Sequence, residues 1–267
     1  MSVRRLAPVL IGVIGLGCGL ASGADTSDDR IVFSADGSTL SGTHGGGGAS
    51  LGWLHNFDAD TLVGIAAEYQ ELSAAHWSFA SANGSQSFGP ENQRYSVYAE
   101  AHEGAGDDGP HPFHYRIETL GLDAFYFRQF TAQLEDKQIN VESTHGNLPK
   151  VGLSYLWSPR LQTSVTYSYS LSGNLGTRLP GIRIDAYGHD VTYTAGAAYG
   201  PAAAAVLGID LTIPVRRLKE AYLGVARPFR SLHSDLTLTA DYQDLSGTKR
   251  VIVTLACVFH VGTSPAR

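Results

Sequence analysis

Cysteine is almost missing from this chain. Cys18 and Cys257 are the only two among 267 residues, and Cys18 sits in what reads as a cleaved leader. One remaining thiol excludes an internal disulfide and a cysteine-rich metal site. Long apolar runs are missing too: past the leader, no stretch approaches the roughly 20 residues that a membrane-crossing helix needs. Positive charge is in deficit, with 19 lysines and arginines against 25 acids and a net charge of −6. That balance argues against a nucleic-acid partner, which would call for a basic face. The glycine run in Thr43-His-Gly-Gly-Gly-Gly48 lacks the lysine-serine pair and following helix of a phosphate loop. It reads as a flexible loop, and no cofactor is expected.

What is present begins with Met1-Ser-Val-Arg-Arg-Leu-Ala-Pro8, an apolar segment from Val9 to Leu20, and the small residues Ala21-Ser-Gly-Ala24. A basic start, a short apolar middle and a small-residue exit describe a secretory signal peptide, residues 1–24. Cleavage is placed after Ala24, with Gly23 as the near alternative. The residues before Cys18 do not suit a lipid anchor, because Gly15-Leu-Gly17 puts no large aliphatic side chain where one is expected. Loss of Arg4 and Arg5 makes the exported chain, residues 25–267, two charges more acidic than −6.

Leu161-Gln-Thr-Ser-Val-Thr-Tyr-Ser-Tyr-Ser-Leu-Ser172 carries the strongest pattern. Leu161, Thr163, Val165, Tyr167, Tyr169 and Leu171 share one face of a strand; Gln162, Ser164, Thr166, Ser168, Ser170 and Ser172 share the other. Similar alternation recurs along the chain, in runs long enough to cross a bilayer when tilted. An exported chain of this kind predicts an all-β fold, an antiparallel up-and-down transmembrane β-barrel in the bacterial outer membrane. Apolar residues then face lipid and polar ones face the lumen.

Fourteen strands are predicted, at 31–40, 50–57, 61–72, 75–87, 94–103, 113–127, 131–142, 151–157, 161–172, 191–199, 203–213, 221–229, 235–245 and 250–261. Twelve is the alternative, if 203–229 is one excursion. A phase slip near Leu120 predicts a bulge. Longer connections at 41–48, 104–112, 143–149, 173–181 and 214–219 alternate with tight turns at 58–60, 89–92, 158–160 and 200–201. Long outer loops and short periplasmic turns give that alternation if the first strand runs outward. Trp53, Trp77 and Trp157 are expected in aromatic girdles at the two membrane interfaces.

Phase assigns Glu68, Arg94, Tyr98, Glu100, His102, Arg116, Glu118, Glu135, Asp190, Asp210 and Asp241 to the lumen as pore-lining candidates. Charge inside a barrel tunes what passes, and the acidic excess favours neutral or cationic solutes. The bland reading is that these groups pair and fill the interior.

A lipid-cleaving enzyme would need a serine and a histidine on one strand face near the outer rim, with an acid beside them. His233-Ser234-Asp235 fails, since adjacent residues point to opposite faces and the segment sits at a predicted periplasmic turn. No other such set is recognised in the sequence, so no catalytic residue is expected. His44, His111 and His145 are loop histidines whose spacing does not suggest a set of metal ligands, and no metal is expected.

The signal peptide, strands such as 151–157, 161–171 and 251–259, and the loops Gly146-Asn-Leu148 and Gly173-Asn-Leu175 resemble the YaiO-type family of outer-membrane barrels. In style they are similar to the barrel ends of exopolysaccharide-export proteins. Phe259 in the last amphipathic strand resembles the signal read by barrel-assembly machinery, although eight residues, His260–Arg267, follow it. The resemblance implies an outer-membrane channel for passive solute passage or glycan export, with outer-membrane lipids, the assembly machinery and a saccharide or small polar solute as partners. A plugged, non-conducting surface barrel is the alternative.

Overall fold

The computed structural model describes residues 28–41, 45–72, 75–90, 93–107, 112–126, 129–141, 144–202 and 216–261. The signal peptide, Asp210, His44 and His111 lie outside them. The strands are β1 Asp28–Leu40, β2 Gly46–Asn56, β3 Thr61–Leu72, β4 Ala75–Phe88, β5 Gln93–Asp107, β6 Pro112–Tyr126 and β7 Phe130–Val141. They continue as β8 Thr144–Ser158, β9 Leu161–Tyr169, β10 Arg178–Tyr187, β11 Thr192–Ala202, β12 Arg216–Phe229, β13 Ser234–Leu245 and β14 Thr248–Val261. Each strand pairs antiparallel with its sequence neighbours, and β1 pairs with β14 to close the barrel. Closure removes the edges, so every strand finds partners for its backbone groups without water.

Alternation along each strand sorts the surface. Outward residues include Ile31 and Phe33 on β1, Ile65 on β3, Leu153 on β8, Val165 on β9, Ile184 on β10 and Leu255 on β14, all exposed. A continuous apolar belt of this extent would be untenable in water and suits a lipid surface. Trp53, Tyr155 and Trp157 flank the belt toward the end where β1 begins and β14 finishes; Tyr69, Tyr199 and Tyr242 flank it toward the other. We call the first the terminal end and the second the loop end.

Fourteen strands form, but not the expected set. The segment read as a loop at 173–181 gives way to β10, whose Ile182 and Ile184 alternate with Arg183 and Asp185. The turn expected at Gly200-Pro201 lies inside β11 instead, and 203–213 lies outside the described residues. Strands also run further toward the loop end than expected. Gly46–Gly48, Gly104–Asp107 and Thr144–Pro149 are all paired, where loops were predicted. The bulge expected near Leu120 does not occur; β6 keeps its register throughout, and among the described pairings the register shifts between Leu156 and Ser158, where β8 meets β9.

Candidate functional site: a layered lumen

Small residues let the interior side chains pack. A Cβ at Gly121 on β6 would collide with the ring of Tyr98 from β5, and one at Gly196 on β11 with the ring of Tyr222 from β12. Each tyrosine therefore lies across a glycine of the neighbouring strand, flat against the wall. Hydroxyls fill much of the rest: the Ser34 and Ser50 oxygens are 2.6 Å apart, and Ser154 donates to Ser164 at 2.8 Å.

The middle of the lumen is a belt of charged and amide groups. Gln70 donates to Asp36 and to Glu68, each at 2.9 Å. The Tyr98 hydroxyl donates to Glu135 at 2.7 Å, and Lys150 reaches the same carboxylate oxygen at 3.0 Å. Glu100 and His102 approach to 3.0 Å. Across the barrel, Gln243 donates to Asp241 at 2.8 Å and Glu220 at 3.2 Å. Arg183 grips Asp185, which also accepts from Thr194 at 2.7 Å. The acids Asp36, Glu68, Glu100, Asp123, Glu135, Asp185, Glu220 and Asp241 outnumber the bases Lys137, Lys150, Arg183 and Arg250. An excess of fixed negative charge in a low-dielectric wall attracts cations and repels anions.

Toward the loop end the interior turns apolar and dry. Phe113, Tyr115 and Ile117 of β6, Ile139 and Val141 of β7, Leu148 of β8 and Leu175 of the β9–β10 connection form one buried cluster. Ala202 of β11, Leu218 of β12 and Leu245 of β13 form a second, with Leu40 and Leu179 against it. Trp77 of β4 packs on both. Since β4 and β12 stand six strands apart one way round the ring and eight the other, Trp77 joins nearly opposite walls. The lumen is bridged at this level. At the terminal end it is polar again, with Arg30 donating to Asn56 at 3.0 Å and Arg94 paired with Asp60.

Seven of the expected lumen residues, Glu68, Arg94, Tyr98, Glu100, His102, Glu135 and Asp241, point to the interior face by their alternation with the exposed belt. Arg116 and Glu118 do not. They pair with each other on the outside of β6, while Tyr115 and Ile117 point inward. Above the membrane the rule inverts: the outer surface meets water and the interior packs as a core. Asp190 sits in the turn between β10 and β11 beside His189, at 2.9 Å, rather than in the lumen. Trp77 leaves the expected girdle for the interior. Asp36, Asp123, Lys137, Lys150, Arg183, Asp185, Glu220 and Arg250 join the interior although they were not singled out. Period-two alternation could have found all of them except the pair on the missed strand β10.

Two further serine patterns bear on catalysis. Gly48-Ala-Ser-Leu-Gly52 has the spacing of a nucleophile elbow, yet it lies inside β2 with Ser50 buried against Ser34. It makes no strand-to-helix turn. The expectation of no same-face histidine and serine is corrected by His76 and Ser78, which share the outer face of β4, with His76 at 3.0 Å from Asp107 of β5.

No protein-family model matches the sequence, and no curated protein matches it. Solved structures do match in fold. The CymD monoaromatic hydrocarbon channel superposes with a TM-score of 0.61 at 8% identity, over 90% of each chain. The TodX deltaS2S3 mutant monoaromatic hydrocarbon channel gives 0.57 at 11% identity, over 91% of this chain and 92% of that one. The KdgM porin gives 0.45 at 9% identity, over 86% and 98%. The chain shares the closed β-barrel fold of CymD and TodX. At such identities the likeness extends to architecture, which agrees with the apolar belt and closed sheet.

Proposed function

We propose that the chain is an outer-membrane channel for small solutes, with the terminal end in the periplasm and the loop end outside. The observation that carries this reading is the acid-rich polar lumen enclosed by a lipid-facing belt. Its charge balance favours neutral and cationic solutes over anions. The apolar bridge around Trp77 sits where the solute would enter, so the resting channel is closed at its outer mouth and opens when that layer parts. CymD and TodX are monoaromatic hydrocarbon channels; a small neutral ring is a solute that the apolar mouth would admit.

Glycan export, which the likeness to YaiO-type and exopolysaccharide-export barrels implies, has less support. Sugar-stacking would need free aromatic faces along the lumen. Tyr98 and Tyr222 each spend a face on a glycine, and the Tyr98 hydroxyl is held by Glu135.

Planar-bilayer recording of the folded chain tests the channel. The wild type is expected to show rare, small openings. Trp77→Ala combined with Leu175→Ala is expected to give frequent, cation-leaning steps. A variant that folds and stays silent would leave a non-conducting surface barrel as the better reading.

A further inference from the structure

Arg250 of β14 alternates with the outward Val251 and points into the lumen, where it is 6% exposed. Among the described residues it has no hydrogen-bond or ion-pair partner, and its Nε is closed off from solvent. Asp36 and Asp241 act on its charge from nearby without bonding it. An unpaired guanidinium in a low-dielectric wall is costly, and its planar fork of donors is the shape that a carboxylate fills.

The side chains around it offer acceptors. Gln243 of β13 stands directly opposite Arg250, and Cβ atoms of such a pair are about 5 Å apart. The Gln243 amide nitrogen donates to Asp241 and Glu220; carboxylates accept, so these two bonds fix which way the amide points. Gln243 Oε1 is left buried and unpaired, as are Asp241 Oδ1 and the Ser38 hydroxyl of β1. All three side chains are more than nine-tenths buried. One step toward the loop end the same wall is apolar. Leu245 follows Gln243 on the inward face, Leu218 precedes Glu220, and Leu40 is paired with Arg250. Leu40 and Trp77 pack on the cluster that holds Leu218 and Leu245.

We propose that this stretch of wall binds a zwitterionic α-amino acid with an apolar or aromatic side chain. The ligand carboxylate takes the Arg250 fork. Its ammonium donates to Gln243 Oε1, Asp241 Oδ1 and Ser38 Oγ, and its side chain enters the leucine layer beside Trp77. Both charges of an amino acid sit on one carbon, which matches a donor and acceptors that converge from directly opposite residues. A plain anion would meet Asp36, Glu220 and Asp241, and a plain cation would meet Arg250, so each half of the zwitterion answers what would repel the other alone. With no net charge, the ligand also passes the acid-rich belt. The site rests on the channel reading for its part in uptake, and on the lumen wall alone for binding.

Isothermal titration calorimetry of the folded full chain in detergent, with L-phenylalanine as the probe, tests the site. One saturable site per barrel is expected. Phenethylammonium, which lacks the carboxylate, and 3-phenylpropionate, which lacks the ammonium, should each bind at least about 30-fold more weakly, because a buried group loses its charged partner. Glycine, with no side chain for the leucine layer, should also bind more weakly. Arg250→Met keeps much of the side-chain volume and should lower phenylalanine affinity by a similar factor; Glu118→Gln, on the outside of β6, should leave it unchanged. The ligand series needs no variant, so it decides the matter even if Arg250→Met fails to fold. Equal affinity for the three aromatic ligands, wild-type affinity in a folded Arg250→Met barrel, or no saturable binding to the wild type overturns the proposal. Planar-bilayer conductance is read separately: a barrel that binds phenylalanine and never conducts keeps the site and sinks the channel.

Discussion

Arg183 and Asp185 form a two-point ion pair along one face of β10, with Nε to Oδ2 at 2.9 Å and Nη2 to Oδ1 at 2.7 Å. Residues two apart on a strand share a face, and a planar guanidinium fits a carboxylate with two parallel bonds. Asp185 is only 2% exposed, so the pair replaces water for a charge that would otherwise be stranded in the wall.

Arg183→Ala should therefore destabilise the barrel by about 3–5 kcal/mol, because an unpaired buried carboxylate remains. Replacing both residues with leucine should restore most of that loss. Urea unfolding in lipid vesicles measures it. Arg116→Ala is the control: its pair with Glu118 is exposed on the outer surface, and the unfolding midpoint should not move.

Gly121→Ala should cost about 1–3 kcal/mol by forcing the Tyr98 ring off the wall. In a Tyr98→Ala background the same substitution should be close to neutral. A double-mutant cycle by equilibrium unfolding reads the coupling directly; additive losses would mean that the ring and the glycine do not meet.

Leu153→Arg and Ser164→Lys separate the two faces of adjacent strands. Leu153 faces outward at mid-belt, between Ala132 and Val165, so an arginine there should cost about 2–4 kcal/mol. Ser164 faces the lumen, and lysine should be accommodated by water with little change in stability. Heat-modifiable mobility on gels together with urea unfolding distinguishes the outcomes.

Glu68→Gln with Asp241→Asn, introduced into the Trp77→Ala and Leu175→Ala variant, should weaken cation preference. Reversal potential under a potassium chloride gradient is the measurement. An unchanged potential would place the selectivity outside this acid-rich belt.

Much of the architecture could be read from residue order. Strand faces follow from an alternation that needs no distant partner: Val165 and Ser164 point apart whatever their neighbours are. For the same reason Glu68, Glu100 and Glu135 could be assigned to the interior. Arg116 and Glu118 show where the reasoning stops. Polar residues mean lumen inside the bilayer and exterior beyond it, and nothing local in β6 marks where the strand leaves the membrane. β10 was hidden by Leu179-Pro-Gly181, which resembles a turn until β9 and β11 are alongside to pair with it.

The sequence by itself determined that this chain is a closed, lipid-facing barrel of alternating strands, because the pleat is a local property and the belt repeats on nearly every strand. Only the tertiary structure decided which side chains meet. Register set Asp107 beside His76 and Tyr98 over Gly121, and closure of the ring brought Trp77 to the opposite wall. Those contacts join residues far apart in the chain, and their distances depend on how fourteen strands are staggered together.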